Sequence, residues 1–127
     1  MNTQPPETID EAVELLERHV RNSSDELAVI LKNSELEFVE VIGAGPSRWI
    51  RNEWRLWDPL SALAEQFQLQ GITHPDDMTR ILFVLLWRKI NGWPDGLGNL
   101  VEGTQQYWRD IGIPSGMPKI TFEREGR

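Results

Sequence analysis

The segment Thr73–Gly92, THPDDMTRILFVLLWRKING, decides the fold. Its centre, Ile81 to Trp87, is an unbroken apolar run that suits a buried strand as well as a buried helix by composition alone. The flanks separate the two. His74 precedes a proline, Asp76 and Asp77 follow in what would be a first turn, and Asn91-Gly92 closes the segment behind Arg88 and Lys89. Acidic residues at the start, basic residues at the end and a glycine stop are helix punctuation. With apolar residues on most sides, the segment reads as a central helix, 75–91, that other helices surround.

The neighbouring segments carry the same punctuation. Thr8-Ile9-Asp10-Glu11 has the form of a capping box, and Ile9, Ala12, Val13, Leu15, Leu16 and Val20 then share one side of a helix to about Arg21. Ser23 and Glu26 repeat the signal for a short helix through Leu31. SELEFVEVIG, 34–43, fits a strand or a short helix; Leu36, Val39 and the Gly43 stop favour helix. Asp58-Pro59 looks like a cap and first-turn proline for a helix carrying Leu60, Leu63, Ala64 and Phe67 up to Gly71. Leu97, Leu100, Val101, Thr104, Trp108 and Ile111 mark a last helix. The expectation is an all-α chain: a compact irregular bundle of five to seven helices forming one domain over 1–113. A tail, 114–127, is extended or disordered.

Between the third and fourth of these regions lies SRWIRNEWRLWDP, 47–59, with three tryptophans and three arginines. Placed on one helix over 47–57, Trp49, Ile50, Trp54, Leu56 and Trp57 fall on one side and Arg48, Arg51 and Arg55 on the other. The tryptophans are then core, because indoles are highly buried on average. Glu53 lands between Trp49 and Trp57 on the apolar side. A carboxylate there requires a partner or a raised pKa.

The 127 residues carry a net charge of −7 and no cysteine. Ten acidic and three basic residues fall within positions 1–40, and the two signs balance thereafter. Disulfides and thiolate metal sites are therefore excluded. The start has no basic region ahead of an apolar run, and Ile81–Trp87 is too short to span a bilayer, so a cytoplasmic protein without a membrane partner is expected. The acidic balance disfavours nucleic acid, even though arginines lie beside aromatics. GAGPS, 43–47, lacks the lysine and the length of a phosphate loop. Two histidines, no cysteine and no nucleophile elbow leave a hydrolytic triad unsupported, and His74-x-Asp76-Asp77 has too few ligands for a metal. No cofactor and no metal are expected. His19, on the rim of an apolar face, reads as a half-buried structural histidine.

WIRNEWRLW followed by THPDDMTRI and KING resembles a family of small bacterial domains of unknown function. The family pattern is roughly W-I-R-N-x-W-x-L-W, then H-P-D-D-M-[ST], then L-N-G. Arg55 stands where the pattern has glycine, and Ile90 where it has leucine; neither departure conflicts with the fold. The resemblance implies a compact helical domain without an assigned activity. It also groups Arg51, Asn52, His74, Asp76 and Asp77 as one constellation. If the two helix regions meet, Arg51 or Arg55 could pair with Asp76 or Asp77, making the motif a structural clamp.

Three functional readings follow, with a binding role expected over an enzymatic one. The first is a small acidic protein-binding module of the inhibitor, immunity or adaptor kind. It would engage a basic partner through Asp10, Glu11, Glu14 and Glu17. The second is a small-ligand or enzymatic site at Arg51, Asn52, Glu53 and His74, with Asp76 and Asp77 beside it. The third is an assembly role, with exposed tryptophan forming a homodimer seam.

Overall fold

A computed structural model describes residues 5–42, 45–58 and 60–112; the expected tail, 114–127, lies outside the described residues. The fold is all-α. Among the described residues seven helices occur and no strand: α1 Ile9–Arg21, α2 Ser24–Lys32, α3 Glu35–Ile42, α4 Gly45–Glu53, α5 Ala62–Leu69, α6 Pro75–Ile90 and α7 Leu97–Asp110. Helix α6 packs against each of the other six. It buries Met78, Ile81, Leu82, Leu86 and their neighbours almost all round. Each such side chain contributes about 1.5–3 kcal/mol by leaving water, so the hub is also the main source of stability.

The helix starts are set by side chains that satisfy otherwise orphaned amides. Thr8 Oγ1 accepts from the Glu11 amide (3.0 Å), and Glu11 Oε1 accepts from the Glu7 amide (2.9 Å). Ser23 caps α2 through the Glu26 amide (3.3 Å). The ambiguous segment 34–43 is helical over Glu35–Ile42 because Ser34 and Glu37 form a reciprocal box. Ser34 Oγ accepts from the Glu37 amide (3.2 Å), and Glu37 Oε1 accepts from the Ser34 amide (2.9 Å). At the other end of the hub, Arg88 donates to both carboxylate oxygens of Glu35 (2.6 and 3.3 Å) and to the Asp95 carbonyl (2.6 Å). Trp87 Nε1 donates to the Asn33 carbonyl (2.9 Å).

The tryptophan-rich segment departs from its expected form. Helix α4 ends at Glu53, and Trp54–Trp57 is a turn. The Leu56 amide bonds back to the Arg51 carbonyl (3.0 Å) and the Arg55 amide to the Asn52 carbonyl (3.3 Å), with Arg55 at φ 53°. This is a Schellman stop. Helices α5 and α6 stop in the same way, through Ile72 to Phe67 and Trp93 to Arg88, but there the left-handed position is glycine: Gly71 at φ 87° and Gly92 at φ 75°. The reversal takes Trp57 out of the helical register. Ile50 and Trp54, four residues apart, form the buried stripe with Leu56. Trp49, one position earlier, is 58% exposed, and Trp57 is 39% exposed. The expectation of a single rod with all its indoles in the core therefore fails. The bundle does not depend on it, because α6 supplies the centre.

Three smaller expectations are also corrected. Asp58 does not cap a helix; its Oδ1 accepts from the Leu60 amide (2.9 Å), an Asx turn, and Leu60 is exposed. Helix α5 begins after Ser61, whose Oγ accepts from the Ala64 amide (3.3 Å) and donates to the Trp54 carbonyl (3.3 Å). Ile111 lies beyond the last turn of α7 and is exposed. His19 is exposed rather than half-buried, and its Nε2 lies 3.1 Å from Glu26 Oε1.

Candidate functional site

The two motifs of the sequence meet where the C-terminal half of α4 crosses the first turn of α6. Pro75 is the first helical residue of α6, with His74 as its cap. His74 Nδ1 accepts from the Asp76 amide (3.1 Å), so that nitrogen serves the helix start. The imidazole lies nearly parallel to the Trp108 indole, ring centroids 6.1 Å apart and planes 18° apart. The hydroxyl of Thr79 donates to the Asp76 carbonyl (2.9 Å), tightening the same turn.

This rigid turn aims two carboxylates in different directions. Asp76 receives a hydrogen bond from Arg51 Nη1, which links α4 to α6. Asp77 turns toward α7, where Trp108 Nε1 donates to its Oδ2 (2.8 Å). Arg80 lies 3.9 Å from Asp77 Oδ1, and its Nη2 donates to Thr104 Oγ1 (2.6 Å) on α7. The buried Thr104 hydroxyl in turn donates to the Leu100 carbonyl (2.8 Å). The first turn of α6 is thus tied to α4 on one side and to α7 on the other.

A cleft of about 320 Å³ opens above this turn between α3, α4 and α6. Arg48, Arg51 and Arg80 line it with Asp76, over a floor that includes Val39 and Phe83. Of the constellation expected from the sequence, Arg51 and Asp76 meet in the cleft, and Asp77 and His74 support it from behind. Asn52 and Glu53 do not join them. Both are exposed, and neither side chain has a hydrogen-bond or ion-pair partner among the described residues. Glu53 is not enclosed by indoles because the helix ends at that residue. Arg48 and Arg80 are lining residues that the expected site did not include. Their spacing held the signal: Asp76 and Arg80 are four apart on α6, as Arg48 and Arg51 are three apart on α4, so each pair shares a helix face.

The acidic residues of α1 divide as well. Asp10, Glu11 and Glu14 are exposed and have no cationic partner among the described residues. Glu17 is half-buried and bound on two sides, by Arg21 Nε (2.9 Å) and Lys89 Nζ (3.5 Å). Its hydrogen bond with Arg21 holds the carboxyl below the usual range; burial opposes that shift and Lys89 reinforces it. No group of three or more histidine and carboxylate side chains that could hold a metal occurs among the described residues. No described helix is long and apolar enough to cross a membrane.

Neither the curated proteins nor the solved structures include a match to this chain. A family model described as "Domain of unknown function (DUF6794)" matches residues 5–90. The match runs from just before α1 to the last residue of α6 and takes in both halves of the Arg51–Asp76 contact. By that match over more than half its length, the chain belongs to the DUF6794 family.

Proposed function

We propose that this chain is a small acidic protein-binding module, of the inhibitor, immunity or adaptor kind, that docks a basic protein partner through its N-terminal helices. The observation that carries this reading is a surface of uncompensated carboxylates. Within the first 40 residues, Glu17, Glu26 and Glu35 have cationic or histidine partners. Glu7, Asp10, Glu11, Glu14, Asp25, Glu37 and Glu40 are exposed and have none among the described residues. Arg18 and Lys32 are unpaired cations in the same stretch, so unpaired carboxylates predominate seven to two; a predominance of one sign steers an oppositely charged partner and helps fix its register. The same helices expose Val29, Leu31 and Leu36, which supply apolar contact beside the charge.

Capture from a lysate of the source organism tests the reading when wild type is run beside a variant carrying Asp10→Lys and Glu14→Lys. The expected result is one basic protein retained by wild type, released between about 0.1 and 0.5 M salt as screening shortens the reach of the charges, and absent from the variant. A partner retained equally by both proteins, or one insensitive to salt, overturns it.

A further inference from the structure

We infer that the arginine-lined cleft between α3, α4 and α6 is a binding site for a small phosphate monoester. The inference is independent of the acidic docking face. It starts from charge. Elsewhere in the described chain Arg21 and Lys89 share Glu17, and Arg88 is paired with Glu35. In the cleft three guanidinium groups, of Arg48, Arg51 and Arg80, meet Asp76 in the lining and Asp77 behind it, 3.9 Å from Arg80, and Arg48 has no carboxylate partner among the described residues. The cluster therefore carries an excess of one positive charge in a protein whose net charge is −7. That excess, with N–H donors from three guanidinium groups, favours an anion rich in acceptor oxygens, and a phosphate monoester carries about −1.5 to −2 at pH 7.

The donors are also placed in advance. Arg51 is held by Asp76 through Nη1 alone, and Arg80 is held through Nη2 alone, by Thr104 and by Asp77 at 3.9 Å. Their other guanidinium N–H groups, and all those of Arg48, have no hydrogen-bond partner among the described residues. Guanidinium forks bind phosphate through paired N–H donors, and tethering them beforehand reduces the ordering cost of binding. Phe83, 4% exposed, and the half-buried Val39 floor the cleft and lower the local dielectric, which strengthens charge-assisted bonds. They also offer apolar contact to the organic part of an ester, and the volume of about 320 Å³ suits a small one. A polyanion is a poor fit, because the uncompensated carboxylates of α1–α3 repel it.

The test is calorimetric titration of the full chain with phenyl phosphate and, separately, with inorganic phosphate at constant ionic strength. Saturable binding of phenyl phosphate is expected, tighter than inorganic phosphate and weaker at pH 5.5 than at pH 7.5, because the second ionisation lies near pH 6. Arg48→Gln is the decisive variant. Arg48 is exposed and supports no other described residue, so the variant should keep the wild-type melting temperature while losing about tenfold in affinity. Arg80→Gln should weaken binding similarly. Absence of saturable phenyl phosphate binding below about 10 mM, or equal affinity in Arg48→Gln, overturns the inference. Binding that does not weaken from pH 7.5 to pH 5.5 also overturns it, since a monoanion would then suffice.

Discussion

Arg51 near the end of α4 and Asp76 in the first turn of α6 are joined side chain to side chain across 25 positions of sequence. The contact turns two separate motifs into one corner of the fold. Both partners are accessible, with side-chain exposures of 32% and 62%, so solvent screens the pair. A double-mutant cycle with Arg51→Gln and Asp76→Asn, read by urea denaturation, should give a coupling of about 0.5–1 kcal/mol. A coupling of zero would mean that the pair adds nothing to the packing beneath it.

Arg55→Gly should stabilise the protein. Arg55 holds the left-handed position of a stop that Gly71 and Gly92 fill in the two other helices ending the same way. A β-carbon there costs roughly 1–2 kcal/mol, part of which glycine returns through the greater freedom of the unfolded chain. The net expectation is a gain of about 0.5–1 kcal/mol, seen as a melting temperature a few degrees higher. An unchanged or lower melting temperature would show that the arginine side chain compensates for its backbone.

Trp108→Phe should destabilise by about 1–2 kcal/mol, because it keeps the ring beside His74 but deletes the N–H that reaches the half-buried Asp77 carboxylate. Chemical denaturation measures the loss. Adding Asp77→Ala to Trp108→Phe should recover part of it by removing the stranded charge.

Glu17 gives the molecule one acid-sensitive tie. Its pKa is lowered in the folded state, first by the Arg21 hydrogen bond. Folding then binds fewer protons than the unfolded chain in this range. The stabilisation is fully present above the ordinary carboxylate pKa of about 4.3 and is lost as pH falls through the lower folded value. Glu17→Gln should therefore lower the melting temperature at pH 7, and the gap to wild type should narrow progressively as the pH falls below about 4.3. A gap of constant size would assign the effect to packing rather than charge.

Three helix starts were readable from a cap in its usual place, but that of α5 was not, because Asp58-Pro59 imitates a start ahead of the true cap, Ser61. Thr8, Ser23 and His74-Pro75 each predict the start observed. The box that makes 34–42 helical was present as Ser34 and Glu37, but the alternation of charges beside it imitates a strand. The end of α4 was not readable, because the residue that marks such a stop is glycine and this chain has Arg55 there. That one substitution hides the turn and misplaces Trp49, Trp57 and Glu53. In the cleft, the pairing of Arg51 with Asp76 was anticipated as a clamp. The contribution of Arg80 was not: its spacing from Asp76 puts both on one helix face, but its tether to Thr104 depends on where α7 lies, and that long-range placement has no local signature.

Because every other helix leans on α6, order of synthesis has a consequence. A polypeptide leaving the ribosome displays α1 to α5 before any of the surface they condense on exists. Five amphipathic segments must wait, loosely coiled and adhesive, until roughly the ninetieth residue emerges. Chaperone dependence during translation should therefore fall abruptly once Ile90 is free of the exit tunnel.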